Sequence, residues 1–491
     1  MSDEQRTFDR ETEVLVVGYG GAGAVAAISA HDSGAKVLIL EKMPSGGGNT
    51  RISGGMVTVP TEKRYIEYVE KLTFQCSPLD VLEKFVEESL TTDDWIKSLG
   101  GELIQATFLK VTIPPMAQLA WRHIPGSDFG IKKQVKGKSV SATPDDPPGQ
   151  RLWNLLAGNV DKRGIEILTE TVAKELIQGP DGEVIGVIAE KSGKEISVMA
   201  RKAVVLSCGG YEFNETMKWD YLAARPAVAN GNPGNTGDGI KMTQKIGAAM
   251  WHMSNLACCC GFKTPEYPSA FPIKFYSEHF ILVDKYGLRF ANEPAIELHD
   301  YGRVFSYFDP HKIEHPRIPM YCIFDEVMRR KAPLCDGISG YNRDFYKWSL
   351  DNSEEIKKGW IRRGKTVGDL ASQIDMDRTI LENSVRKYNE SCKNGSDTEF
   401  SRAKEYLAPL EPSPYYAIPL WPALYNTQGG PKRDMESRVL DMDGQPIPRL
   451  YAAGELGSIW GVLYQGGSNN AESIAFGRIA GRNAAAESPW R

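Results

Sequence analysis

The sequence predicts an α/β fold in which a domain with a parallel sheet carries a second, inserted domain. Val14–Val17 is an apolar, β-branched run typical of a buried parallel strand, and a glycine-rich turn, a helical segment and another apolar run follow it. The turn has the spacing G-x-G-x-x-G at Gly18, Gly20 and Gly23. After residue 250 aromatic residues and prolines become dense and such motifs stop, which predicts the insertion.

The glycine turn predicts a site for a dinucleotide. Gly18 permits the tight turn, Gly20 lets the main chain approach a pyrophosphate, and Gly23 lets helix and strand pack closely. The helix begins near Ala22, where free N–H groups and the helix dipole favour an anion, and Gly21 of the turn is a further candidate cofactor-binding residue. We therefore expect the pyrophosphate at the start of this helix, in a Rossmann-like unit.

An acidic residue and a second glycine-rich loop narrow the choice of dinucleotide. Glu41 ends the second strand, 18 residues after Gly23, where its carboxylate can accept both hydroxyls of an adenosine ribose and would repel a 2′-phosphate. NAD needs no second glycine loop so soon after this acid, whereas FAD must thread its flavin end back through the domain. The residues that this loop contributes are Lys42, Gly48, Asn49, Thr50, Ser53, Gly54 and Gly55.

These segments and three later ones resemble the flavoprotein family of fumarate reductases, succinate dehydrogenases and 3-ketosteroid dehydrogenases. The later segments are residues 203–214, 235–248, and the pair 450–455 and 475–481. The resemblance implies a Rossmann-like FAD-binding domain of the glutathione reductase/fumarate reductase type with an inserted α+β substrate-capping domain. The further cofactor-binding residues that it implies are Ala173, Gly209, Asp238, Gly454, Glu455, Ser468 and Asn469.

The resemblance also implies how FAD is held. In the succinate dehydrogenases a histidine before the threonine of the second glycine loop bonds covalently to FAD. Asn49 stands at that position here, so we expect non-covalent FAD.

The predicted FAD domain is discontinuous. Residues 1–249 form its first part, 250–410 the capping domain, and 411–491 its C-terminal part. The pattern predicts an irregular region over 110–150. The predicted helices and strands outside the glycine motifs are a helix from Pro78 to Leu99, strands over 164–168, 173–190 and 203–206, and helices near 367–373 and 377–393.

Three positions depart from the family's dicarboxylate enzymes. Asn426 and Trp460 stand where their motifs have histidines, and Tyr464 stands where they have the substrate arginine. Those enzymes place a proton-donating arginine a few residues after the glutamate that matches Glu293, but here none occurs until Arg303. Because two desolvated carboxylates without arginine partners cost several kcal/mol each, we expect neither fumarate nor succinate as the substrate.

Tyrosines replace the missing charges, which makes the chain more similar to the ketosteroid dehydrogenases. A phenol can donate a hydrogen bond to a ketone oxygen, and its pKa near 10 suits enol chemistry. We expect α,β-desaturation of a cyclic, steroid-like ketone, or the reverse enone reduction, by hydride transfer at flavin N5. Tyr464 is the candidate acid–base residue, Tyr301 and Tyr276 are candidate partners, and backbone N–H groups near Gly466 and Gly467 are a candidate oxyanion site.

Other residues have both a functional and a structural interpretation. His279 and His299 are acid–base groups or structural hydrogen-bonders, Asn426 contacts substrate or forms a turn, and Arg303 binds an anion or a solvated carboxylate. We expect Cys258–Cys260 to be buried thiols rather than ligands. The aromatic residues that either wall an apolar pocket or form the cap core are Trp251, Phe262, Tyr267, Phe271, Phe275 and Phe280.

Composition limits the other possibilities. The net charge of −5 and the lack of a basic block argue against nucleic acid as a partner. The sequence has no apolar run of membrane-spanning length and no signal-peptide core, so we expect a cytoplasmic protein without a membrane span. None of the eight cysteines forms C-x-x-C, so we expect free thiols and no metal.

Two alternative functions remain open. One is a flavin-dependent reductase of another activated alkene, such as an unsaturated acid bearing a ring, for which Arg303 is the candidate carboxylate partner. The other is a flavin electron-transfer subunit. The expected partners are a small apolar ketone-type substrate and an external electron acceptor or donor.

Overall fold

The computed structural model describes residues 7–106, 124–136, 146–411 and 413–490. Its strands are β1 Arg10–Val17, β2 Val37–Leu40, β3 Met56–Pro60, β4 Leu103–Gln105, β5 Gly130–Val135, β6 Glu166–Leu168, β7 Thr171–Gln178, β8 Val184–Lys191, β9 Lys194–Leu206, β10 Val228–Ala229, β11 Met250–Trp251, β12 Leu256–Phe262, β13 Phe271–Pro272, β14 Phe280–Val283, β15 Met320–Phe324, β16 Arg362–Gly364, β17 Tyr415–Thr427, β18 Gly430–Pro431, β19 Arg438–Leu440 and β20 Pro446–Ala452. Its α-helices are α1 Gly21–Asp32, α2 Gly48–Ile52, α3 Tyr65–Thr73, α4 Leu79–Ser89, α5 Thr92–Ser98, α6 Pro148–Lys162, α7 Glu215–Tyr221, α8 Asp238–Lys245, α9 Tyr301–Phe305, α10 Glu326–Lys331, α11 Ser353–Lys357, α12 Val367–Gln373, α13 Arg378–Asn394 and α14 Ser468–Ala486.

The first large sheet carries the glycine turn. Its main strand order is β19-β20-β9-β1-β2-β6, and β7 and β8 join it as an antiparallel extension of β9. β1 lies between β2 and β9 and is parallel to both, with Val14 opposite Val37 and Ala203. Val14 is fully buried, as its place in an apolar run predicts. Because parallel strands end at the same edge, the loops after β1, β2 and β9 meet there.

The C-terminal helix returns to this sheet. α14 packs against α1, and apolar residues of both helices belong to one buried core. This contact brings the segment before α14, which contains Tyr464, back to the nucleotide-binding half of the chain.

The second large sheet has the order β13-β12-β17-β15-β14, with β10 and β16 also paired to β17. Its central strand is therefore β17, Tyr415–Thr427, which lies beyond the predicted cap boundary at residue 410. The division into 1–249, 250–410 and 411–491 stays a prediction, but a cap defined by this sheet has to include β17. The cap core contains an aromatic group in which Phe271 packs on Trp348 and Trp360.

Most of the predicted elements have counterparts close to their predicted bounds. The helix predicted over Pro78–Leu99 is two helices, α4 and α5, and the helices predicted near 367–373 and 377–393 are α12 and α13. The irregular region predicted over 110–150 is partly wrong, because β5 pairs with both β3 and β4 there. The rest of that prediction falls mainly on 110–123 and 137–145, outside the described residues.

The helices of the described ranges were also compared with the requirements for crossing a bilayer. None of them is both long enough and apolar enough to do so.

Candidate active site

Two connected cavities lie at the carboxyl edge of the first sheet. The smaller follows the glycine turn, and the larger, of about 240 Å³, is lined by residues of the second large sheet, α2, α14 and the loop after β20. The residues that line both cavities are Asn49, Thr50, Glu455 and Ser473. A long ligand can therefore pass from the glycine turn into the larger cavity.

The glycine turn leaves room for a ligand where the sequence predicts it. Gly18 has φ +103°, and a Cβ there would lie 2.5 Å from the Ser207 carbonyl oxygen. Gly20 differs, because a Cβ there would meet only the Gly48 Cα, at 3.9 Å. α1 begins at Gly21 without a side-chain cap, so its first N–H groups have no side-chain acceptor. Gly21 and Ala22 line the smaller cavity, which places this helix start at the cavity wall. This arrangement fits a pyrophosphate.

Glu41 lies at the far side of the same cavity. Its carboxylate accepts hydrogen bonds from the backbone N–H groups of Tyr19, at 2.7 Å, and Met43, at 2.8 Å. Burial raises the pKa of Glu41 above its ordinary value, and these hydrogen bonds oppose that shift. The spare lone pairs of a fixed carboxylate fit a ribose diol. Lys42 lies next to it and pairs with Asp238 at 2.6 Å.

The other predicted cofactor residues fall into three groups. Those in the wall of the smaller cavity are Gly18, Gly20, Gly21, Ala22, Glu41, Lys42, Gly48, Asn49, Thr50, Ala173, Gly209, Asp238 and Glu455. Ser53, Gly54, Gly55 and Asn469 line the larger cavity instead. Gly23, Gly454 and Ser468 line neither cavity, and Gly454 packs against Ala22 behind the wall.

Tyr464 lies in the wall of the larger cavity, on the segment before α14. Its phenolic oxygen accepts a hydrogen bond from the Gly467 N–H at 3.2 Å, which leaves its O–H as a donor. Burial raises the pKa of Tyr464 well above its ordinary value, so the phenol stays protonated. The Gly467 N–H, one of the predicted oxyanion donors, is bonded to Tyr464 here, and the oxyanion site near Gly466 and Gly467 stays a prediction.

His299 stands beside Tyr464, with the two ring centres 5.1 Å apart and edge to face. Its Nδ1 lies 3.1 Å from Glu297 Oε1, and Glu297 is buried. The contact favours the tautomer in which Nδ1 carries the proton and donates it to this carboxylate. In that tautomer Nε2 is a hydrogen-bond acceptor. Sequence reasoning missed Glu297, for which the one available signal is an acid two residues before a histidine.

The two other predicted catalytic tyrosines also line the larger cavity. Tyr301 is 3 % exposed, and burial raises its pKa well above the ordinary value. Tyr276 donates its hydrogen bond to Asp336, which also accepts from Lys274 Nζ at 2.6 Å. Tyr276 is therefore already engaged, whereas Lys274 and Asp336 are polar residues of the wall that sequence reasoning missed.

The remaining polar candidates separate clearly. Asn426 lines the larger cavity, although its amide also donates to the Thr427 carbonyl at 3.1 Å. His279 does not line it, and its Nδ1 lies 3.0 Å from Asp325. Arg303 does not line it either; its guanidinium pairs with Asp300 at 2.9 Å. These contacts favour the structural interpretation of His279 and Arg303.

The aromatic and cysteine groups pack mainly in the interior. Phe275 and Phe280 stack at 4.3 Å and line the larger cavity, so they alone of the aromatic group form its wall. Trp460 is fully buried beside Tyr464. The thiols of Cys258–Cys260 are fully buried, and burial raises the pKa of each. No group of side chains suited to a metal ion occurs within the described ranges.

Comparison with known proteins agrees with this geometry. A family model described as "FAD binding domain" matches residues 13–471. An NADH:fumarate oxidoreductase of Klebsiella pneumoniae is 32% identical over 96% of this chain, which spans only 47% of that relative. A urocanate reductase of Eggerthella lenta is 28% identical over 97% of this chain and 75% of its own length.

A solved structure has the same fold. It is a 3-ketosteroid delta1-dehydrogenase from Sterolibacterium denitrificans in complex with 1,4-androstadiene-3,17-dione, with a TM-score of 0.82 and 23% identity over 97% of this chain and 100% of that one. The predicted fold class and the resemblance to fumarate reductases and ketosteroid dehydrogenases are thereby confirmed.

Proposed function

Because this chain belongs to the FAD binding domain family, we propose that it is an FAD-dependent oxidoreductase that interconverts a C–C single bond and a C=C bond conjugated with a ring carbonyl. FAD is its cofactor, and the uncapped start of α1, the ribose-facing Glu41 and the connected cavities fit that molecule. When bound, FAD supplies the acceptor or donor of hydride.

One observation carries this proposal. Tyr464, a protonated phenol with an available O–H, lies in the cavity wall directly beside the His299–Glu297 pair. No arginine lines this cavity within the part of the chain that the structure describes. A neutral carbonyl is well matched to such a wall, whereas a dicarboxylate would lose hydration without gaining an arginine, and the cavity-lining Lys274 is already paired with Asp336.

In the proposed reaction, Tyr464 donates a hydrogen bond to the carbonyl oxygen and stabilises an enolate. In desaturation this enolate forms when the Cα–H bond breaks and is consumed when hydride leaves Cβ; in the reverse reaction it forms when hydride is added to Cβ and is consumed when the Cα–H bond is made. The Gly467 N–H fixes the direction of the phenol. His299, held by Glu297, exchanges the α proton. Phe275 and Phe280 provide an apolar wall against which a flat ring can lie.

A ring-bearing unsaturated acid is the second candidate substrate. Its candidate carboxylate partner is Lys274 rather than Arg303, because Lys274 lines the cavity and Arg303 does not. The double variant Lys274→Met, Asp336→Asn removes this cation without leaving Asp336 as an unpaired buried carboxylate.

For the proposed ketone substrate, this double variant should change KM less than about threefold, because neither Lys274 nor Asp336 is assigned a contact with the carbonyl oxygen. A rise of about tenfold or more in KM for an unsaturated acid, with the ketone unaffected, would favour the second candidate; charge-assisted hydrogen bonds contribute about 1.5–3 kcal/mol. Steady-state kinetics with both substrate types provide the measurement.

The direct test is anaerobic titration of the holoprotein, followed by flavin absorption. Saturated cyclic ketones should bleach the oxidised flavin, or cyclic enones should restore the colour of the reduced flavin, because the two reactions are each other's reverse. Succinate and fumarate should do neither. Bleaching by succinate would contradict the proposal. The external electron donor or acceptor, and non-covalent attachment of FAD, remain predictions.

A further inference from the structure

We propose that Glu212 and Glu455 form a proton-binding pair that takes up one proton when FAD is reduced. Glu212 lies in the turn after β9, and Glu455 lies after β20, so adjacent parallel strands bring the two carboxyls together. Neither residue is part of the substrate chemistry proposed above. The inference rests on FAD as the cofactor and not on the identity of the substrate.

A single amide group bridges the two carboxyls. Asn49 Nδ2 donates to Glu212 Oε1 at 2.8 Å and to Glu455 Oε2 at 2.9 Å. The other two oxygens, Glu212 Oε2 and Glu455 Oε1, are buried and have no donor. Both lie within 3 Å of one point, the position of a Cβ built on Gly210, at 2.9 and 2.6 Å. Thr427 Oγ1 lies 2.1 Å from the same point and accepts from the Tyr211 N–H, so its own O–H can donate to at most one of the two oxygens. The other oxygen is satisfied only when one carboxyl carries a proton.

The surroundings supply no positive charge. Asn235 Nδ2 also donates to Glu212, at 2.7 Å, and the Thr427 backbone faces Glu455. The nearby titratable group is the phenol of Tyr211, whose own pKa is raised by burial and by Glu212. No lysine, arginine or histidine pairs with either carboxyl among the described residues. Two adjacent buried carboxylates cannot both be ionised cheaply under these conditions.

The two sites do not bind protons equally. Burial, followed by the charge of Glu212, raises the pKa of Glu455 well above the ordinary value. Burial raises the pKa of Glu212 to about 7. At a pH above the pKa of Glu212 the pair therefore holds one proton and one negative charge, and at a lower pH it holds two protons. Because the two carboxyls interact strongly, these protonation steps are properties of the pair and not of either residue alone.

The position of the pair couples it to the cofactor. Glu455 and Asn49 line both cavities, at the junction that FAD has to bridge, while Glu212 is fully buried behind them. Reduction adds two electrons and at least one proton to FAD, and any net negative charge gained there raises the proton affinity of a nearby carboxylate. Linkage is reciprocal, so protonation of the pair favours reduction.

The test is the pH dependence of the two-electron midpoint potential of the holoprotein between pH 5 and 9, measured by dithionite titration. Proton uptake per two electrons should rise above pH 7, from one toward two, because only there does the oxidised protein have a free carboxylate. Proton uptake by FAD itself changes with pH in the opposite direction, because reduced FAD takes up a second proton at low pH rather than at high pH. Glu212→Gln should remove the rise above pH 7.

Glu297→Gln serves as the matched control, because Glu297 also lines the larger cavity but pairs with His299 and not with another carboxyl. It should keep the rise in proton uptake. Uptake of one proton throughout pH 7–9 in the unmodified protein would overturn the proposal, as would an unchanged profile in Glu212→Gln.

Infrared spectroscopy keeps the proposal testable if Glu212→Gln fails to bind FAD. The unmodified holoprotein at pH 8 should show a protonated-carboxyl band that shifts in D₂O and grows on reduction. Absence of that band would also overturn the proposal. Neither measurement uses turnover, so failure of the proposed substrate chemistry would leave the result unaffected.

Discussion

Tyr464→Phe should lower kcat/KM by about 10²–10⁴-fold while FAD remains bound, because the variant loses the only group that we assign to the carbonyl oxygen. The effect should appear in kcat more than in KM, since the hydrogen bond strengthens as the enolate forms. Steady-state kinetics with a cyclic ketone or enone, together with the flavin absorption of the purified variant, provide the measurement.

Tyr276→Phe is the control for this experiment. Tyr276 lies in the same cavity, but its O–H is already donated to Asp336, so its loss should lower kcat/KM by less than about tenfold. The Tyr464 variant also deprives the Gly467 N–H of its acceptor, and about 1–3 kcal/mol of stability should be lost with it. Full turnover in Tyr464→Phe with FAD bound would contradict the proposed mechanism.

Gly20→Val should abolish FAD binding and leave the fold intact. Gly20 has φ −96° and ψ −164°, which any residue adopts, and a Cβ there meets no protein atom closer than 3.9 Å. The Cβ of the added side chain therefore lies in the space that the pyrophosphate needs at the start of α1. We expect FAD affinity to fall at least about 100-fold, or about 2.7 kcal/mol. Flavin content after gel filtration tests the loss of FAD binding, and circular dichroism tests whether the fold is intact.

Gly158→Ala is the matched control. Gly158 lies exposed in α6, and a Cβ there meets nothing within 4 Å. The substitution should retain FAD and stabilise the protein by about 0.5–1 kcal/mol, because alanine is the better helix former. Normal flavin content in Gly20→Val would show that the cofactor does not approach the main chain at this turn.

The nucleotide-binding half was predictable because its signals are local. Val14–Val17, the glycine turn and Glu41 lie within one short segment, and each residue type has a steric or electrostatic reason to stand where it does. A strand–turn–helix unit of this kind has few alternative arrangements. The position of its ribose acid follows from the same short connection.

The cap was less predictable. The boundary at residue 410 followed from composition, whereas β17, which begins at Tyr415 beyond that boundary, is the central strand of the second sheet. Composition shows where the nucleotide-binding motifs end along the chain. Which strands pair depends on which strand edges the folded chain brings side by side. β5 was missed for the same reason. Its polar composition favours a loop, and only its pairing with β3 and β4 makes it a strand.

The sequence by itself determined the dinucleotide turn, the cofactor class and the replacement of an arginine by Tyr464. Only the tertiary structure decided which of 20 tyrosines reach the cavity, and which acids support them. Lys274 meets Asp336 across 62 residues, and Glu212 faces Glu455 between two adjacent strands far apart in the chain. Such pairs follow from packing and strand order, and no local pattern encodes them.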